Sequence, residues 1–204
     1  VNVADVVFVG GYQTQRIQHD YPTFRFYHNA NWQNNNILVS LFCAEAEMNQ
    51  PFTCTYADII YRPWVTQQLM ESPHDITLVV DTAWRERYTV RTLHPEDDGE
   101  KILADGERIT QIRRNIDPAE AHGEYIGIAK FSQRGAHILQ THYHRVCREY
   151  DGTPFQGAAS VQKAYLIQCF QEMIEHGVAI HKIDIAGGYY EIDTTQDYEI
   201  ANEV

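Results

Sequence analysis

Two carboxylates stand where short apolar runs end. Asp58 lies in Tyr56-Ala57-Asp58-Ile59, and Asp193 follows Gly187-Gly188-Tyr189-Tyr190-Glu191-Ile192. Open α/β sheets bind ligands outside the carboxyl ends of their strands, so each is a candidate site residue; helix capping is the competing role for both. The pair says more than either member. Two Asp side chains converging on one edge repel each other unless a cation lies between them, and a shared Mg²⁺ is the natural occupant. Asp58 and Asp193 are therefore the candidate metal ligands and catalytic residues.

Other side chains could line a ligand site around that pair. Asp81 closes the run Asp75-Ile76-Thr77-Leu78-Val79-Val80-Asp81, a further carboxylate at a strand end. Glu124 sits in Gly123-Glu124-Tyr125-Ile126-Gly127, where the glycines permit close approach of another group, so it is a candidate contact to an acceptor substrate. Trp84, Tyr88, Tyr189 and Tyr190 offer aromatic walls, and an aromatic face can hold a cationic amine; core packing is the competing role for Trp84. His142-Tyr143-His144, with His137, has the composition of a metal cluster. Residues i and i+2 do not share a helix face, however, so these histidines read as a solvated helix surface.

The elements that must position these residues alternate between strand and helix. Strands are expected over 4–11, 24–27, 53–60, 75–81, 123–131 and 179–185. Helices are expected over 14–19, 37–48, 63–71, 133–149 and 160–176, with a last one after Thr194. Lys101-Ile102-Leu103-Ala104, then Asp105-Gly106, then Arg108-Ile109-Thr110-Gln111-Ile112 reads as a hairpin with a primed turn, inserted antiparallel. The alternation predicts βαβ units and a mostly parallel sheet in an α/β domain spanning 1–204.

The bulk composition narrows the partners. The chain has 204 residues, 44% of them hydrophobic, and no apolar run long enough to span a bilayer, so no membrane association is expected. A formal charge of -12, with no cluster of Lys and Arg, disfavours nucleic acid. Cys43, Cys54, Cys147 and Cys169 are far apart and make no CxxC pair, which suits free thiols in a cytoplasmic protein.

In order, Val6-Val7-Phe8-Val9-Gly10-Gly11-Tyr12, Asn35-Asn36-Ile37-Leu38-Val39-Ser40-Leu41, Tyr56-Ala57-Asp58-Ile59, Val79-Val80-Asp81-Thr82-Ala83-Trp84, Gly123-Glu124-Tyr125-Ile126-Gly127 and Tyr190-Glu191-Ile192-Asp193-Thr194 form a pattern. It resembles the nucleotidyltransferase superfamily of the sugar-phosphate type, and within it the phosphocholine and aminoethylphosphonate cytidylyltransferases, including domains associated with phosphoenolpyruvate mutase. The resemblance implies a three-layer, Rossmann-like nucleotide-diphospho-sugar transferase fold. It implies Mg²⁺ on Asp58 and Asp193, pocket roles for Asn36 and Ser40, an acceptor contact at Glu124 and a phosphate contact at Lys130. Asp81, Trp84 and Tyr190 complete the expected substrate-binding set.

The implied reaction moves a nucleoside monophosphate, with CTP the favoured donor, onto a small phosphate or phosphonate acceptor. The family opens with a strand, a Gly-rich phosphate loop and a Pro-Lys pair, and this sequence opens past them, so the fold is expected to lack its first strand. A sugar-1-phosphate acceptor is the alternative within the enzyme class, and a catalytically silent nucleotide-binding relative is the alternative outside it. A glycosyltransferase would need an Asp-x-Asp pair, whereas Asp97-Asp98 is adjacent. A fused or associated further domain is compatible with the sequence.

Overall fold

The computed structural model describes residues 5–203. The first apolar run becomes β1 (Val7–Gly10); α1 (Thr14–Asp20) then returns the chain so that β2 (Arg25–His28) lies parallel beside it. The expected start of that strand at Ala4 lies outside the described residues. Asn36 caps α2 (Ile37–Phe42), its Oδ1 accepting from the Ile37 amide at 2.8 Å. The helix stops well short of Met48, and a 3₁₀ turn at Glu45–Glu47 follows.

The stretch read as one strand over 53–60 is two. β3 (Phe52–Thr55) pairs with the later strand β8 (Gly123–Phe131), and the chain then turns through Tyr56, Ala57 and Asp58 into β4 (Ile59–Tyr61). The break has a steric cause opposite it. Gly127 has φ +79°, and a Cβ there would lie 2.4 Å from the Tyr56 ring, so β8 bulges where β3 leaves it.

α3 (Pro63–Glu71), with proline in its first turn, leads to β5 (Ile76–Asp81), and α4 (Trp84–Tyr88) follows directly. The hairpin is β6 (Lys101–Asp105) and β7 (Arg108–Arg113). After β8 come α5 (Gln133–Glu149), α6 (Leu166–Glu175), β9 (His181–Ile185), β10 (Tyr189–Glu191) and α7 (Thr195–Asn202).

The main sheet has six strands in the order β3-β8-β5-β9-β7-β6, with β6 also meeting β8. It is mixed, where the alternation predicts a mostly parallel one. Only β5 and β9 pair parallel within it, while β8 runs antiparallel to β3, β5 and β6. The cause is the hairpin: its base delivers the chain to β8 beside the end of β5, Glu124 opposite Asp81, so β8 must run backwards along β5. The hairpin touches β9 as well, at Arg108–His181. The pairings β5–β8–β6–β7–β9 therefore close on themselves.

β5 is buried along its whole length, as expected of a strand covered on both faces. Its alternate side chains serve two cores. Ile76, Leu78 and Val80 pack with Leu139, Val146 and Phe170 of α5 and α6, while Val79 packs with Val65 and Leu69 of α3 and with Ile126, Ile128 and Ile185. Among the described residues no helix is long and apolar enough to cross a membrane.

Candidate active site

A short ribbon outside the main sheet brings the two aspartates together. β10 pairs antiparallel with β4, Glu191 opposite Ile59, and the Ile192 amide donates to the Asp58 carbonyl at 2.8 Å. Asp58, just before β4, and Asp193, just after β10, thus emerge side by side at the ribbon's end. The ribbon depends on a turn at Gly187-Gly188, with φ +73° and +85°, and a Cβ on Gly188 would lie 2.4 Å from Trp64.

The two carboxylates differ in their surroundings. Asp193 accepts from the Arg91 guanidinium at 2.9 Å and lies 3.3 Å from His94 Nδ1. Arg91 also donates to Glu191 at 3.2 Å and to Asp197 at 2.7 Å, so one buried guanidinium holds three carboxylates. Asp58 meets no cationic side chain among the described residues. Partial burial raises its pKa, the Asp193 charge adds to the rise, and its own backbone amide opposes it. Burial, reinforced by Asp193 and Glu124 and opposed by Arg91, pushes Glu191 up to about 7. His94, Glu191 and Asp193 bring ligand atoms within 4.8 Å of one another, a further set of donors that could share a cation.

These residues open into a pocket of about 390 Å³, also lined by Asn36, Tyr56, Glu100, Arg114, Glu124, Tyr125, Tyr165 and Tyr189. Its floor comes from the base of the hairpin, where Glu100 precedes β6 and Arg114 follows β7. Burial pushes Glu100 up to about 7, against the pull of Arg114 and a 3.1 Å hydrogen bond from the Tyr56 hydroxyl. A more open depression of about 640 Å³ beside Arg85 and Pro118 contains neither Asp58 nor Asp193.

No family model matches the chain. It is 25% identical, over 98% of its length and 82% of the relative's, to the CTP:phosphoglutamine cytidylyltransferase of Campylobacter jejuni. Its fold is similar to that of the inositol-1-phosphate CTP transferase from T. maritima, with TM-score 0.67 and 16% identity over 98% of this chain and 75% of the other. It is also similar to the CTP:phosphocholine cytidylyltransferase from Streptococcus pneumoniae, with TM-score 0.70 and 15% identity over 99% and 78%. The chain is thus cytidylyltransferase-like, similar over nearly its whole length to nucleotidyltransferases of the sugar-phosphate type.

In this cytidylyltransferase-like fold the expected site residues separate into two groups. Asp58, Asp193, Asn36 and Glu124 line the pocket. Asn36 does so while capping α2, its amide nitrogen 3.3 Å from the Lys163 carbonyl. Glu124 is already engaged: Arg87, the Tyr88 hydroxyl at 2.8 Å and the Tyr189 hydroxyl at 3.0 Å all donate to it. Arg87 also pairs with fully buried Asp81 and lies 3.9 Å from the Tyr189 ring centre. Glu124 is thus held from behind as part of the wall.

The other expected contacts lie outside the pocket lining. Asp81 accepts from the Ala83 and Gly187 amides at 2.9 and 2.8 Å, which orients the turn leading to β10. Trp84 is 2% exposed and packs in the interior, because a large apolar ring at the start of α4 gains more from burial than from the solvent edge. Ser40 accepts from Asn29 at 2.8 Å. Lys130 is at the far end of β8 from Glu124 and donates to the Ser72 carbonyl. Tyr190 alternates with Tyr189 and Glu191 along β10, so its side chain takes the opposite face of the ribbon.

Arg91, His94, Glu100, Glu191 and Arg114 are the pocket-side residues that the sequence left unmarked. Glu191 had a signal, since i and i+2 share a strand face and it stands two before Asp193. Arg91 and His94 carry none beyond their spacing from Arg87. The histidines of α5 also differ from a uniformly solvated surface. His142 lies 3.2 Å from fully buried Glu172 of α6, whereas His144 lies 2.5 Å from Glu45.

Proposed function

We propose that this enzyme transfers CMP from CTP to a small phosphate or phosphonate acceptor and releases pyrophosphate, with Mg²⁺ held by Asp58 and Asp193. The observation that carries the reading is the convergence of these two carboxylates at the ribbon end, opening on a pocket large enough for a small acceptor. The choice of CTP follows the three relatives, whose names all carry it.

The donor set fits a hard divalent cation. Asp58 has a raised pKa, the Asp193 charge beside it and, among the described residues, no cation of its own, so a metal relieves a repulsion those residues leave uncompensated. When bound, Mg²⁺ would neutralise charge on the triphosphate and on the entering acceptor oxygen. The chain's own residues position the groups around it. Arg91 fixes Asp193 and Glu191, the Gly187-Gly188 turn fixes the ribbon, and Arg87 fixes the wall at Glu124. In the reaction an acceptor phosphate or phosphonate oxygen forms a bond to the α-phosphorus as the α–β phosphoanhydride bond breaks. Pyrophosphate leaves with the electron pair. The acceptor oxygen is already ionised near neutral pH, so no side chain is needed to remove a proton.

A net charge of -12 argues against a nucleic-acid substrate, and four cysteines outside any disulfide suit the cytoplasm. The test is a matrix of the four nucleoside triphosphates against phosphocholine, aminoethylphosphonate, hydroxyethylphosphonate and sugar 1-phosphates, read as Mg²⁺-dependent pyrophosphate release. Turnover confined to CTP with a non-sugar acceptor supports the reading. Turnover only with sugar 1-phosphates replaces the acceptor class, and none in any cell of the matrix assigns the chain to catalytically silent relatives.

A further inference from the structure

Asp193 belongs to two sets of donors. Its charge bears on Asp58, and it offers a ligand atom within 4.8 Å of those of His94 and Glu191. Among the described residues no other three His, Cys, Asp or Glu side chains come that close, and Asp58 is not a member of the set. The second set is therefore a centre of its own rather than an extension of the first. His94 Nδ1 stands 3.3 Å from Asp193 Oδ2, and the ring makes no side-chain hydrogen bond among the described residues. Two ligands of one cation, each at about 2.1 Å, stand about 3.0 Å apart at a right angle and about 3.4 Å apart at a tetrahedral one. The imidazole and the carboxylate thus already have the spacing of neighbouring ligands.

All three side chains line the pocket and keep access to it, His94 being 15%, Glu191 26% and Asp193 31% exposed. Arg91 does not take the place of a metal. It bonds one oxygen of Glu191 and one of Asp193, and among the described residues Glu191 Oε1 and Asp193 Oδ1 accept no hydrogen bond. Its single charge is also spread over a third carboxylate, Asp197. A partner that grips ligand carboxylates from behind fixes their orientation, as in metal sites generally. An imidazole nitrogen beside two carboxylates suits Mn²⁺, Co²⁺ or Zn²⁺ better than Mg²⁺, which takes oxygen.

We propose that His94, Glu191 and Asp193 bind a second divalent cation, a transition ion, and that Asp193 is shared between it and the Mg²⁺ of Asp58. The sharing rests on the reading of Asp58 and Asp193 as the Mg²⁺ site. The His94 centre stands on its own geometry.

The test is calorimetric titration of the full chain, without nucleotide, by Mn²⁺ and by Mg²⁺, with pulsed electron paramagnetic resonance of the Mn²⁺ form to detect bound nitrogen. Mn²⁺ is expected to bind at least about tenfold more tightly than Mg²⁺, and its echo should carry the nitrogen modulation of a coordinated imidazole. His94→Gln should abolish the modulation, lower Mn²⁺ affinity by about tenfold or more and leave Mg²⁺ within about twofold. Its melting temperature in chelator should stay within about 2 °C of the parent, since the ring abandons no hydrogen bond; that separates a lost ligand from a lost fold. Glu191→Gln should lower Mn²⁺ affinity by a similar factor. Asp58→Asn should keep the nitrogen signal whatever it does to turnover, so failure of the Asp58 metal assignment would remove the sharing and leave the His94 centre. Mn²⁺ binding no tighter than Mg²⁺, an echo without nitrogen, or a nitrogen signal that survives His94→Gln overturns the centre.

Discussion

Removing the charge of Asp58 and of Asp193 should have opposite effects on stability and similar effects on turnover. In the fold, burial and the neighbouring Asp193 raise the Asp58 pKa, so the folded chain holds that proton more tightly than the unfolded chain does. Ionised Asp58 therefore costs stability. The cost is absent below its unfolded pKa of about 3.9, grows as pH rises through the folded value and is complete above it. A like-charge pair near solvent is worth on the order of 0.5–1 kcal/mol, so Asp58→Asn at pH 7 without metal should raise the melting temperature by about 1–4 °C. The gain should vanish near pH 3.5.

Asp193→Asn instead weakens the contacts to Arg91 and His94. The Asp193 side chain is 31% exposed and Arg91 keeps Glu191 and Asp197, so the loss is only about 1 kcal/mol, or about 2–4 °C. Both variants should nevertheless reduce CTP turnover by about a hundredfold or more, since each removes a proposed metal ligand and misplaces the reacting phosphate. Thermal unfolding in chelator and pyrophosphate release across a Mg²⁺ titration measure the two effects. A destabilised Asp58→Asn would show that its carboxylate makes contacts the fold needs, and near-normal rates at limiting Mg²⁺ would refute the metal assignment.

Arg87→Met should leave the buried Asp81 and Glu124 carboxylates without their shared partner, at a cost of about 3–5 kcal/mol and a fall of about 10 °C in melting temperature. Arg87→Lys should recover little of it, because one ammonium cannot span both carboxylates in a planar fork; a recovery above half would argue against the clamp. Glu124→Gln should lower stability by about 1–3 kcal/mol and shift the KM for CTP as well as for acceptor, since three protein donors already hold that carboxylate. A rise in acceptor KM alone, with normal unfolding, would restore Glu124 as a direct acceptor contact. Burial acts to raise the Asp197 pKa, but hydrogen bonds from Arg91 and Thr194 outweigh it and hold it at about 2. Its folded pKa is depressed, so its contribution is complete above about pH 4 and is lost as pH falls from there toward 2; Asp197→Asn should flatten the acid unfolding curve in that window.

The local elements were legible because their physics is local. The 63–71 and 133–149 helices and the 123–131 strand begin and end at the residues that periodicity and capping give, with Pro63 in a first turn and Ser132 as an N-cap accepting from the Gly135 amide. Glycine and aspartate at strand ends also marked Asp58 and Asp193, and the fold brings both to one ribbon end. Sheet direction was not legible. Alternating strands and helices read as crossovers, whereas the hairpin turns β8 back along β5, and only the register of Glu124 against Asp81 reveals it.

The pocket's polar partners were hidden for a related reason. Arg91 reaches Asp193 across about a hundred residues of chain, and Glu100 and Arg114 become neighbours only because Lys101 pairs with Arg113 at the hairpin base. Glu124 could be marked from sequence, but not that Arg87, Tyr88 and Tyr189 would occupy it. Short-range patterning is set by backbone periodicity, which each segment carries with it. Which charges meet is set by long-range pairing and burial, where the energy of one side chain depends on residues that only the closed fold supplies.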